Sequence, residues 1–313
     1  MRGYMMIGAG IAVLLVAALA VLLLRPSSAP KADTATLYAA PLPAPEGPLA
    51  VYHLGHSLVG RDMPAMLAQL APPGHRYDSQ LGWGTSLREH WEPDVPINGF
   101  DSENAHPRYR PAREAVGSGD YDAVVLTEMV EINDALRYHK GARYLGRWAD
   151  LARGAVPPPR VYLYETWHNL DDPSGWLARL DSDLRGAWLG QLAAPNQRSD
   201  APIYLIPAGQ VMAALVREVE AAGGIGPMMD RTDLFRRNPD GSQDQIHPGD
   251  LGNYLNALTH YAVLYHRSPV GLPQNLIRAD GTRADLPGDA LALKMQQTVW
   301  DVVRAMPETG VAP

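Results

Sequence analysis

Tyr121–Glu128, YDAVVLTE, sets the apolar run Ala123–Leu126 between Asp122 and Thr127. With that apolar, partly β-branched centre, Tyr121–Glu128 as a whole reads as a strand buried on both faces. A helical pattern follows it over Asn133–Ala155. The same alternation recurs outward in both directions. Upstream, LAVYHL (Leu49–Leu54) precedes the helical MPAMLAQL (Met63–Leu70), and RYDSQL (Arg76–Leu81) is the next strand. Downstream, RVYLYE (Arg160–Glu165) and PIYLIP (Pro202–Pro207) are strands, each followed by a helix, Trp176–Leu192 and Gln210–Ala222. Helices over Leu251–His266 and Ala290–Ala305 close the chain. Strands separated by helices predict an α/β domain of three layers around a mostly parallel sheet. Ligands of such sheets bind beyond the carboxyl ends of the strands.

Outside this pattern lies an N-terminal segment of different character. Ile7–Leu24, IGAGIAVLLVAALAVLLL, carries no charge and ends at Arg25. Eighteen apolar residues approach the length that spans a bilayer. The run predicts a signal anchor, a transmembrane helix within residues 1–25, with a cleaved secretory signal as the alternative. Residues 26–48 are rich in Pro, Ala and Ser and read as a disordered tether, leaving 49–313 as the folded domain. With 46% hydrophobic residues the chain has the means to bury a sizeable core. Cysteine is absent, which excludes disulfides, zinc–thiolate sites and cysteine nucleophiles. The net charge is −7; the first 31 residues hold three basic residues and no acidic one, so the remainder sets 24 basic against 34 acidic residues. An acidic domain of this kind is a poor partner for nucleic acid.

Two motifs carry chemistry. Gly55-His56-Ser57-Leu58 follows the first strand directly, which holds the serine in a strand-to-helix turn beside free backbone N–H groups. A nucleophilic serine needs that setting, because the oxyanion it generates must meet preorganised donors. The segment G-H-S-L-V-G is not the G-x-S-x-G elbow of α/β-hydrolases. Asp244-Gln245-Ile246-His247-Pro248 lies late in the domain, in what reads as a loop before a helix. Asp and His three apart there reach one cleft together, the carboxylate orienting the imidazole as general base.

An early G-[DNH]-S-L serine and a late D-x-x-H-P in one α/β domain resemble the SGNH/GDSL hydrolase family, over roughly Leu49–Arg267. The resemblance implies a flavodoxin-like domain with Ser57 as nucleophile, His247 as base and Asp244 as its orienting acid. It also implies two further oxyanion donors beside the Ser57 N–H. Leu81-Gly82-Trp83-Gly84 after the second strand supplies a glycine, Gly84 first and Gly82 second. The family's G-x-N-D is absent after YDAVVLTE; Asn133, followed by Asp134, is the nearest match, with Thr127 or Glu128 as the alternative occupant. The expected activity is hydrolysis of small acyl esters, O-acetyl above all, on a cell-envelope or extracellular glycan, with no cofactor. Rival readings are an O-acyltransferase using the same triad and an anchored glycan-binding or assembly protein that has lost catalysis. The expected address is a bacterial inner membrane, crossed once, with the domain in the periplasm, or secretion if the signal is cleaved.

The remaining candidates line up along the same sheet edge. Trp83, Glu128, Trp167 and His168 are expected to contact substrate, and Trp91 is either pocket wall or core. His53 and His56 form an H-x-x-H, but strand geometry points them to opposite faces, so no metal site is expected. His260 and His266 read as ordinary helix residues.

Overall fold

The computed structural model describes residues 37–313, and the expected anchor at Ile7–Leu24 lies outside them. In chain order the elements are β1 (Ala50–His56), α1 (Asp62–Leu70), β2 (Arg76–Gly82), α2 (Leu87–Trp91), α3 (Phe100–Asn104), α4 (Ala112–Gly117), β3 (Ala123–Leu126), α5 (Ile132–Arg137), α6 (Gly141–Arg153) and β4 (Arg160–Glu165). There follow α7 (Trp176–Asp183), a π-helical stretch Leu184–Ala193, β5 (Ile203–Pro207), α8 (Ala208–Ala222), β6 (Phe235–Arg237), β7 (Gln243–Pro248), α9 (Asp250–Tyr265) and α10 (Gly288–Ala305). Five strands form one sheet in the order β2-β1-β3-β4-β5, all neighbours parallel. This is the flavodoxin-like order.

Side-chain alternation along the strands divides the core into two layers. Val51, Val125, Tyr162, Tyr164, Tyr204 and Ile206 face one side, against α1, α8, α9 and α10. Tyr52, Leu54, Val124, Leu126, Val161, Leu163, Ile203 and Leu205 face the other, against α2, α4, α5, α6 and the π-helical stretch. Strands covered on both faces need not alternate apolar with polar, which is why AVVL is apolar throughout.

Three expectations are corrected. The helix expected over Asn133–Ala155 is two, α5 and α6, because Lys140 takes a left-handed backbone conformation (φ 57°) between them. The Asp244–His247 segment is a strand, not a loop: β7 pairs antiparallel with β6 as a small hairpin. The tether is not free throughout. The Tyr38 hydroxyl donates to the Ile203 carbonyl at 2.8 Å, the Leu42 N–H to the Gly310 carbonyl at 2.8 Å, and Arg160 to the Pro43 carbonyl at 2.7 Å. Tyr38 also packs edge-on against Tyr204, so the domain reaches back to about residue 38. Among the described residues no helix is long and apolar enough to cross a membrane.

Candidate active site

The site is assembled at the carboxyl end of β1. Gly55 ends the strand's run toward Thr127, and a Cβ there would meet Thr127 Cβ at 2.7 Å and Val59 at 2.9 Å. Only glycine fits, because β1 passes this close to Thr127 and Val59 just before the turn. Two buried histidines fix the turn. His56 Nδ1 accepts from the Leu58 N–H at 3.3 Å, which leaves its proton on Nε2, donating to the Glu128 carbonyl at 2.8 Å. His90 does the same from α2: Nδ1 accepts from the Gln80 amide at 3.0 Å and Nε2–H donates to the Gly55 carbonyl at 2.7 Å. Burial pushes both imidazoles down to about 4, so both are neutral near pH 7.

Ser57 emerges from this turn into a cleft of about 1170 Å³, shared with Trp83, Gly84, Val130, Arg236 and His247. Its Oγ lies 3.1 Å from His247 Nε2. The far nitrogen, Nδ1, lies 2.9 Å from Asp244 Oδ2 and 3.1 Å from Oδ1. Asp244 is itself held from three sides. Its Oδ1 accepts the Ile246 and His247 N–H groups, each at 2.9 Å, and its Oδ2 accepts from Arg236 Nε at 2.8 Å. Burial alone would raise this carboxyl; the amide bonds, then Arg236 and His247, hold it well below the usual carboxylate range. An ionised Asp244 fixes His247 with the proton on Nδ1 and leaves Nε2 to accept from the serine hydroxyl.

Two backbone donors at the cleft are candidates to hold an oxyanion, since Ser57 and Gly84 both line it. The N–H groups of Ser57 and Gly84 have no acceptor among the described residues. Gly84 is exposed, left-handed (φ 58°), and a Cβ there would meet nothing within 4 Å, so backbone conformation alone calls for glycine. Gly82 answers to packing instead: a Cβ there would lie 2.2 Å from Thr85 Oγ1 and 2.3 Å from Ile97.

Other expected contacts fall elsewhere. Asn133 is exposed in the first turn of α5, where Glu131 caps its N–H, and it does not line the cleft; Val130 does. Four residues of chain lie between Glu128 and Asn133, enough for the short helix to carry it away from the sheet edge. The Glu128 carboxyl is fully buried away from the cleft, accepting from the Leu87 and Met129 N–H groups at 3.1 and 2.9 Å, and burial raises it to about 7. Thr127 is buried too. Trp91 packs edge-on against Trp148 at 4.9 Å, as core. His168 is buried beside Asp183 at 3.4 Å. His53 and His56 diverge, His53 facing His260 across 5.8 Å. Trp83 does line the cleft; its indole donates to Glu103 at 2.7 Å, its ring lies on the Gly99 backbone, and 52% of it is exposed.

Trp167 is not a pocket wall. It is fully buried, and its indole N–H donates to the Ile246 carbonyl at 2.8 Å, while the Leu170 N–H donates to the Gln245 carbonyl at 2.8 Å. The loop after β4 thus pins β7 and sets the position of His247. Trp167→Phe keeps most of the packing and removes the bond, leaving a carbonyl beside the base without its partner. We expect kcat for ester hydrolysis to fall roughly three- to tenfold with KM little changed. An unaltered kcat would show that β7 needs no such pin.

No protein-family model matches the chain, and no curated protein matches it. Two solved structures overlap it. The protein YxiM from Bacillus subtilis overlaps 68% of the chain at 17% identity and a TM-score of 0.41, and the match spans 55% of that protein's own length. A carbohydrate esterase family 3 protein from Talaromyces cellulolyticus overlaps 67% at 16% identity and a TM-score of 0.33, over 93% of its length. Both TM-scores lie below 0.5.

Reasoning from sequence missed Arg236, His90 and Gln80. Arg236 sits across the hairpin from Asp244, and nothing in the sequence marks that pairing. A buried His–Gln pair ten residues apart is likewise unreadable before the sheet register is known.

Proposed function

We propose that the protein is a serine esterase that works through an acyl-enzyme on Ser57. The observation that carries this reading is the hydrogen-bonded chain Asp244–His247–Ser57, opening into a cleft with two unused backbone donors. Ser57 Oγ attacks the ester carbonyl as His247 Nε2 takes its proton, and Asp244 stabilises the imidazolium that forms. The carbonyl oxygen becomes an oxyanion between the N–H groups of Ser57 and Gly84. The alkoxide of the substrate leaves with the proton from His247. Water, deprotonated by His247, then releases the acid and restores Ser57. Two donors stand where the family resemblance expected three.

A glycan ester fits the cleft because Trp83 offers an exposed aromatic face at its rim, an apolar platform that suits a sugar ring. The apolar run at Ile7–Leu24 favours a place at a membrane, within reach of envelope polysaccharide. The test is covalent. A fluorophosphonate added to the full chain should inactivate p-nitrophenyl acetate hydrolysis and add one adduct, mapped by mass spectrometry to Ser57. Fluoride leaves as the Ser57 oxygen bonds phosphorus. Wild-type protein that neither turns over the ester nor takes the label would end the proposal, as would labelling at another serine.

A further inference from the structure

Four arginines line the cleft, and three are already engaged. Arg236 pairs with Asp244, Arg278 with Asp250 at 2.9 Å, and Arg61 with the Ser102 carbonyl and Glu103. Arg108 has no carboxylate partner and no side-chain hydrogen bond among the described residues. Its position is nevertheless fixed. Its carbonyl accepts from the Ser79 N–H at 2.9 Å, and the Arg110 N–H returns to the Ser79 carbonyl at 3.3 Å, so the segment runs beside β2 like an extra edge strand. The Arg108 N–H donates to His106 Nδ1 at 3.1 Å. The guanidinium lies over the Tyr77 ring, 5.2 Å from its centroid. Stacking of this kind holds the plane and leaves the donor edge open.

The acidic side chains of the same cleft do not answer this charge. Asp62 accepts the Ala279 N–H at 2.9 Å, Asp280 is turned onto Thr282, and Glu103 takes the Trp83 indole. Of the four arginines in the cleft, Arg108 alone has no carboxylate partner among the described residues, while Asp62 and Asp280 are turned onto backbone and hydroxyl donors. A guanidinium of this kind matches a carboxylate by two parallel N–H···O bonds.

We propose that Arg108 is a specificity-determining residue and that the ester is carried on an anionic sugar, a uronate whose carboxylate Arg108 receives. This rests on the esterase reading for the reaction but not for the binding, and the two are tested apart. Binding is measured on the full-length Ser57→Ala protein by calorimetry with oligoglucuronate and, as the neutral counterpart, a glucose oligomer of equal length. We expect the uronate to bind at least roughly tenfold tighter, as one charge-assisted pair implies. Salt should weaken that preference, Arg108→Ala added to Ser57→Ala should abolish it, and Arg108→Lys should keep part of it. Equal binding of the two oligomers, or a uronate preference that survives Arg108→Ala, would overturn the proposal. Turnover of p-nitrophenyl acetate by wild-type protein reports on the esterase reading alone. Matching melting temperatures of the Arg108 variants and their parent confirm that a lost preference is not lost folding.

Discussion

Asp244→Asn is expected to lower kcat by three to four orders of magnitude while leaving the fold and KM nearly unchanged. The reason is the number of donors converging on this carboxylate. Its two oxygens accept from two backbone N–H groups, Arg236 and His247 Nδ1. An asparagine keeps one oxygen, which stays with the Ile246 and His247 amides, and presents its NH2 to Arg236 and the imidazole. Donor then faces donor at both. His247 relieves its side of the conflict by moving its proton to Nε2, so that Nδ1 accepts from the asparagine. Nε2 then carries a hydrogen toward Ser57 Oγ, 3.1 Å away, and cannot take another. The serine loses its base although every side chain stays in place. Steady-state kinetics on p-nitrophenyl acetate, with a melting curve to confirm folding, checks the prediction. A loss under tenfold would mean that His247 keeps its working tautomer without Asp244, and that the chain of hydrogen bonds is not the catalytic unit.

Much of the fold was legible in the sequence because it rests on local signals. The five sheet strands fall where apolar, β-branched and aromatic runs lie, and all five agree within about two residues at each end. Ser57, Asp244 and His247 were legible for a related reason. The first sits one residue past a strand, and the other two are close enough in sequence to share one element. The failures share a cause as well. Glu128, Trp167 and His168 lie at the correct sheet edge, but which way a side chain turns there depends on partners far away in sequence. Trp167 turns down onto Ile246, and Glu128 turns toward the Leu87 N–H. Asn133 was placed by motif alone, and α5 carries it to the surface. The Asp244 segment read as a loop because a strand of the β6–β7 hairpin has too little apolar alternation to stand out.

Stability against pH should pass through a maximum at about pH 6.5 to 7, falling on both sides and more steeply in acid. Six histidines set the acid limb: His56, His75, His90, His260 and His266 are lowered by burial to about 4, and His53 well below its ordinary value. A histidine depressed in the folded state leaves stability intact above its unfolded value of about 6.5. Below that, the unfolded chain gains a proton that the folded one refuses, and each fully buried histidine lowered to about 4 costs about 3 kcal/mol by pH 4. Two buried glutamates act in the opposite sense. Burial raises Glu128 to about 7 and Glu165 to about 8, despite the bonds Glu165 accepts from Gln210. Their contribution is complete below the unfolded value of 4.5 and is lost as pH rises through the folded values. Between about pH 4.5 and 6.5 six histidines outweigh two carboxyls, so stability climbs with pH; above about pH 7 the glutamates dominate, and it falls until about pH 8. Asp244 contributes below this window, since its folded value is depressed and its share disappears only in stronger acid. Thermal melting of the full chain from about pH 4 to 9 would trace the curve. Glu165→Gln, which keeps an acceptor for the Gln210 N–H and removes the ionisation, should flatten the alkaline limb and raise stability above pH 8 by a few kcal/mol. A melting temperature that rises steadily past pH 8 in wild type, or a Glu165→Gln curve parallel to it, would show that these carboxyls reach water in the folded state.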